Sequence, residues 1–288
     1  MAYSRLSNNT TNYDHPDESH LLNLHYAMDY NSVGQPVVRT VGGDIFWAVN
    51  LPTGFGQIHK FGAVPQMSQN TNGTIWDEND TIYPWEIIDN NGVLTIQVVA
   101  TNNEASITQT HNGDTVTVQG LDNDYNAQEE TVTIAAGTAT TLNSFKRIYR
   151  ATFTNGGSFN PNTDRILIKS GGANGTIVAK ILEDVGQTLM AIYTVPAGKT
   201  AYLMRLDVTA QGTATGSFKL FARPGGTGSF QLKHVAEING VGGPYQLEYP
   251  IPQAFPEKTD IDARMHTFSN NGRYTCTFDL LLVDIPDY

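Results

Sequence analysis

The sequence predicts an all-β protein of antiparallel sandwich or barrel architecture, with two β-domains behind an extended N-terminal arm. Three observations carry that prediction. Past residue 90 the chain is a series of short β-branched or aromatic segments, mostly alternating, divided by Gly, Asn, Asp and Pro. Their spacing, often about 8–12 residues, is that of strands joined by tight turns. No segment holds apolar residues at helical spacing for three turns. Only 16% of the 288 residues are charged against 40% hydrophobic, where about a quarter charged is usual. Thr, Asn, Gln, Gly and Ser fill the difference, a composition suited to hydrogen-bonded sheet surfaces.

Residues 1–35 are the expected arm, polar and rich in Asn, Asp and His. Its apolar cluster, Leu21, Leu22, Leu24, Tyr26 and Met28, suffices for one or two helical turns. So short a helix does not persist in water alone, so the arm is expected to order only against another surface. A disordered leader without a role is the competing reading. Leu22, Leu24, Tyr26 and Met28 are the expected partner contacts.

The first β-domain is expected over residues 36–184, with an irregular start. Gly42-Gly43, Pro52-Thr53-Gly54 and Gly62-Ala63-Val64-Pro65 read as turns, and Ile45, Trp47 and Val49 mark one short strand. Trp47, Trp76 and Trp85 read as core anchors or, alternatively, as a sugar-stacking platform. Asn90-Asn91-Gly92 is a hairpin-type turn, followed by strands at 93–100, 115–121, 131–137, 145–153, 165–169 and 176–182. The rhythm pauses at Asp184–Gly186, where a boundary is placed. The second sandwich, 185–288, carries strands at 189–195, 200–208, 217–224, 229–238, 245–251, 260–268 and 274–283.

Charge and motifs exclude more than they assign. Seventeen basic against 28 acidic residues give a net charge of −11, which argues against nucleic-acid binding, since that needs clustered Lys and Arg. A single cysteine leaves no disulfide framework, and Cys276, alternating with Tyr274 and Phe278, reads as a buried thiol. Apolar runs are too short to span a membrane, and no apolar export signal opens the chain. His15, His20 and His25 recur every five residues, the wrong step for one helical face; the seven histidines read as surface residues. Asp122, Asp124 and Asn126 have the opening spacing of a calcium loop. Position six is Ala127, however, and position twelve is Thr133 where such loops carry Gly and Glu. An Asx-rich hairpin turn explains the stretch equally well. No serine-elbow, phosphate-loop or zinc-helix motif occurs, so neither a catalytic residue nor a cofactor is expected.

The segments YTVPAGKTAYLMRL (193–206), FPEKTDIDAR (255–264) and FDLLLVD (278–284) resemble structural proteins of tailed bacteriophages, especially those of marine and freshwater hosts. VTVQGLDNDYNAQEETVTI (116–134), NSFKRIYRATFTNGG (143–157) and the opening HYAMDYNSVGQPVVR (25–39) extend that resemblance over most of the chain. The resemblance implies a non-enzymatic virion protein with jelly-roll or sandwich domains; an acidic surface, at a net charge of −11, is repelled by packaged DNA and so argues for a place on the outside of the capsid or tail. Two roles follow from it: a capsid decoration (cement) protein, expected as a homotrimer on the major capsid protein, or a tail-associated or fibre protein. A carbohydrate-binding module is the reading from another class. The absence of coiled-coil heptads and β-helix repeats favours decoration.

Overall fold

The computed structural model describes residues 54–78, 80–88, 92–155 and 162–285, and the backbone of two short strands before them. The chain divides into two compact units, Met1–Thr53 and Gly54–Tyr288. In the first, β1 (Met28–Tyr30) pairs antiparallel with β2 (Pro36–Val38), Met28 opposite Val38. The expected helical turn therefore does not reach Met28. The Pro-Val-Val triplet favours extended backbone, and the segment before it serves as its partner. Leu22, Leu24 and Tyr26 lie outside the described residues.

The second unit is all-β and antiparallel, as expected. It begins with β3 (Phe55–Met67), β4 (Asn72–Thr74) and the single helical turn α1 (Trp85–Ile88). Next come β5 (Leu94–Ala100), β6 (Asn103–Ile107), β7 (Thr115–Leu121), β8 (Ala127–Thr133), β9 (Thr138–Thr140), β10 (Arg147–Thr154), β11 (Arg165–Ser170) and β12 (Thr176–Ile181). The chain then runs through β13 (Ile192–Thr194), β14 (Lys199–Ala210), β15 (Thr215–Arg223), β16 (Gln231–Asn239), β17 (Tyr245–Phe255), β18 (Asp260–Ser269) and β19 (Gly272–Asp284).

Among the described residues of this unit four small sheets result, and they share cores in pairs. The sheets β17-β14-β19-β3 and β13-β18-β15-β16, with β4 also on β18, meet in one apolar cluster that includes Val64, Leu203, Phe218, Phe255 and Phe278. The sheets β12-β11-β5-β6, with β9 on β5, and β10-β7-β8 meet in a second cluster around Ile96, Val118, Phe145 and Ile166. The sequence division at 184/185 is not the division the sheets make. Residues 55–75 pair and pack with residues 191–285, so the sheets built from 94–181 lie between two chain segments of the other pair.

The stems of that intervening stretch are tied together. Ala191 N donates to Ile75 O (2.9 Å), and Ile75 N donates to Ala263 O on β18 (2.8 Å). Gly62 on β3 passes directly under this tie: a Cβ there would stand 2.2 Å from Ala191 N and 2.5 Å from Ile75 O. The stretch read from sequence as a turn, Gly62-Ala63-Val64-Pro65, is thus the middle of a 13-residue strand. Its glycine serves close backbone approach, not chain reversal. At the other end of the intervening stretch, Asp184 and Gly186 both take positive φ (60° and 74°), the backbone form of the pause read at that point.

Candidate functional site

Among the described residues, the most elaborate polar structure lies on β18, which is buried on both faces. Ile261, Ala263 and Met265 enter the first core, while Asp260 and Asp262, both 0% exposed, point the other way. A buried carboxylate needs partners, and each has several. Asp260 Oδ1 accepts from Arg147 Nε (2.7 Å) and Thr194 Oγ1 (2.6 Å); Oδ2 accepts from Arg147 Nη2 (3.0 Å) and Arg223 Nη2 (2.7 Å). Asp262 accepts from Thr74 Oγ1 (2.9 Å), Trp85 Nε1 (2.9 Å) and Arg264 Nε (2.8 Å). The guanidinium groups are sheathed by rings: Arg147 over Trp85 and Tyr125, Arg223 over Trp85 and Phe230, Arg264 over Phe221 and Phe230. Arg147 comes from β10 and Asp260 from β18, so this network joins the two pairs of sheets. Its groups are all engaged with one another, which makes it a positioning device.

A second polar region lies along the same join. An open cleft of about 270 Å³ is lined by Pro65, Asp77, Arg165, Lys180, Glu183 and Arg273, among others. Arg165 bridges Glu104 (3.0 Å) and Glu183 (2.8 Å), and Lys180 holds Glu104 (3.0 Å) and Glu78. These pairs keep the Glu104 and Glu183 carboxyls below their ordinary range, through Lys180 and Arg165 for the first and Arg165 for the second. Asp77 is different. Burial pushes its carboxyl well up, although Oδ2 accepts from Leu189 N at 2.6 Å. Among the described residues no three His, Cys, Asp or Glu are grouped so as to hold a metal ion.

Lys60, 3% exposed, donates to Tyr149 O, and burial lowers its amine well below the usual lysine value. A group with a depressed basic pKa weakens the fold wherever it must be charged. The penalty is absent above the unfolded lysine value of about 10.4 and grows as pH falls towards the folded value. Lys60→Met is therefore expected to raise the melting temperature at pH 7, with the gain shrinking as pH approaches 10.5. Thermal melts across that range check it.

The residues singled out from sequence fall as follows. Asp122, Asp124 and Asn126 form the β7–β8 turn, with Tyr125 at φ 68°. Asp122 Oδ1 accepts from Asp124 N (2.9 Å) and Asn126 N (2.8 Å), and Oδ2 from Asn126 Nδ2 (3.2 Å), so this carboxylate is turned onto its own loop as an Asx turn. Trp76 (2% exposed) and Trp85 (4%) are in the second core, which overturns the sugar-stacking platform for both; Trp47 lies outside the described residues. Cys276 is 0% exposed and burial pushes its thiol up. The surface reading of the histidines fails at His111: it is buried, with Nδ1 3.0 Å from Asp114 Oδ2 and Nε2 accepting from Thr163 N at 3.2 Å. Sequence reasoning missed the Asp260 network. Its trace is the alternation Asp260, Asp262, Arg264 against Ile261, Ala263, Met265, a strand with charge on one face and core on the other.

Comparison with known proteins gives little. No protein-family model matches the chain, and no curated protein does. Among solved structures, similar chains occur in that of infectious bursal disease virus, Gx strain (8% identity, 81% of this chain and 73% of that one, TM-score 0.25). Another is in the T=1 particles derived from infectious bursal virus (10% identity, 81% and 74%, TM-score 0.19). At those scores the likeness carries no argument.

Proposed function

We propose that the chain is a non-enzymatic structural protein of a virion, a capsid decoration protein that stabilises the shell of a tailed bacteriophage. Its partners in this reading are further copies of itself, as a closed homotrimer, and the major capsid protein beneath. The phage assignment is supported by the resemblance of segments 193–206, 255–264 and 278–284. Strand order supports a jelly-roll reading: β3-β19-β14-β17 and, leaving aside β13, β4-β18-β15-β16 share one core in the order that winding would give, with the sheets of 94–181 read as an insertion. That frame serves shells, lectins and other proteins alike, so the choice rests on the surface. The observation that carries it is a set of exposed apolar residues along the β16–β17 hairpin of the chain, Leu232 (52%) and Val235 (51%) on β16, Val241 (74%) in the connection and Ile251 (86%) on β17. Large apolar side chains left in water along one hairpin are what a contact surface offers.

Residues 1–35 complete this reading as an arm that orders on a neighbour. Deleting residues 1–30 is expected to leave a folded β-protein, by circular dichroism and melting, that no longer co-sediments with particles stripped of it. Full binding by the truncated protein contradicts the arm's role. A truncated protein that fails to fold contradicts the separation of the arm from the body.

A further inference from the structure

The pairing of β16 with β15 is interrupted at one point, and the interruption gathers side chains. Leu220 on β15 faces His234, but the next residue, Phe221, faces Leu232, so Lys233 is the extra residue of a β-bulge. Strand side chains alternate between faces, and opposed residues of an antiparallel pair share one. In a regular strand Leu232 and Val235, three apart, would lie on opposite faces. With the bulge both lie on the outer face, Leu232 opposite Phe221 and Val235 opposite Lys219. The cores agree with this division. Phe218, Leu220, Ala236 and Ile238 belong to the first core, whereas Phe221, Leu232 and Val235 belong to neither. A bulge that re-aims a side chain in this way is a placed feature of a strand.

The patch so formed is apolar at its centre and cationic around it. β18 continues both rows, with Asp262 opposite Phe221 and Arg264 opposite Lys219. Arg264 lies over the Phe221 ring at 4.7 Å and holds the buried Asp262. Lys219 stands between Arg264 and Val235, and among the described residues its side chain has no ion pair and no hydrogen bond. Lys233 Nζ donates to Gln231 Oε1 at 3.0 Å, which leaves its charge unmatched. Glu237, one row further along β16, is the outward carboxylate of this strand. Three cations therefore stand around Leu232 and Val235 against one exposed and one buried carboxylate, on a chain of net charge −11.

A cationic rim around half-exposed apolar side chains suits an occupant that is acidic and apolar together. The chain carries such a segment outside the described residues. In residues 14–24, DHPDESHLLNL, Asp14, Asp17 and Glu18 precede Leu21, Leu22 and Leu24, and no Lys or Arg occurs between Arg5 and Arg39.

We infer that the outer face of β15 and β16 around Phe221, Leu232 and Val235 receives residues 14–24 of a neighbouring copy, leucines on the apolar centre and carboxylates on Lys219 and Lys233. The inference rests on the reading of the N-terminal segment as an arm, and it names the surface that takes the arm. It does not depend on the particle.

Photo-crosslinking of the full chain tests it. Benzoylphenylalanine replaces Leu232 in one protein and Val235 in another, and each is irradiated as a mixture of light and heavy-isotope copies. Trypsin releases the segment within one peptide, residues 6–39, since no Lys or Arg interrupts it. Both positions are expected to give mixed-isotope crosslinks that map within residues 14–24. The same probe at Thr131, on the exposed row of β8, is expected to give none. Yield is read as covalent dimer on a denaturing gel. At low salt Lys219→Glu is expected to lower the yield from Leu232 at least about fivefold, as is Asp17→Lys/Glu18→Lys, and the two combined to restore it. Circular dichroism verifies that each protein folds, and the two probe positions are independent replicas. Crosslinks confined to single copies, crosslinks mapping elsewhere, none from either position, or a yield indifferent to the charge reversals each overturn the inference. The measurement uses free protein. Absent crosslinks remove this contact and leave the virion reading to the particle itself, whereas crosslinking protein that is missing from particles removes the virion reading alone.

Discussion

Asp260→Ala is expected to destabilise the protein by about 3–5 kcal/mol, the usual consequence of leaving buried charges without their counter-ion. Asp260 is 0% exposed and binds both Arg147 and Arg223, which are themselves buried and ring-sheathed. Removing the carboxylate takes from two buried guanidinium groups the acceptor they share, in a place that water does not reach. Because Arg147 belongs to one pair of sheets and Asp260 to the other, the loss should also loosen the join between them. Amide exchange should then rise at residues 145–151 and 260–264 before it rises in the strand centres of either core. Replacing the group as a whole tests the cause. Arg147→Met, Arg223→Met and Asp260→Leu together should recover most of the loss, because apolar substitutes remove the unpaired charge. If Asp260→Ala melts within a degree of wild type, the network is not what holds the join.

Gly62→Ala is expected to be at least as damaging, at about 3 kcal/mol or more, and Gly62→Val is expected to give no folded protein. The added methyl would sit against the Ala191 N to Ile75 O hydrogen bond, with backbone on both sides and no flexible side chain to yield. The damage should fall on both cores, since this bond closes the stems from which the second pair of sheets extends. Gly56→Ala on the same strand is the control: its Cβ would meet only Leu282 side-chain atoms, at 3.6 Å and beyond. Chemical denaturation of both variants checks the contrast, and equal stability contradicts it.

The two variants mark where the sequence was legible. The strands from 93 onwards could be read because alternation and turn residues are local signals. TVTVQGL is β7, residue for residue, and RILIK is all but the last residue of β11. β3 could not be read, because Gly56, Gly62 and Pro65 interrupt its pattern and the reason for Gly62 lies more than a hundred residues away at Ala191. The insertion was hidden for the same reason: that β3 pairs with β19 is long-range information, and a linear boundary at 184 is what local rhythm alone provides. Arg147 was legible as a strand residue, but its burial was not, since an arginine is solvent-facing by default. The exposed apolar residues of β16 and β17 were half visible. The β16 and β17 segments read as strands, yet nothing local says that they end their sheets.

The most direct test of the virion reading is to count and locate this protein on purified particles, by quantitative mass spectrometry and a low-resolution image. The decoration reading predicts hundreds of copies spread over the outer shell. Six to a few dozen copies at one vertex would place it on the tail instead, and its absence from washed particles would contradict a structural role in the virion.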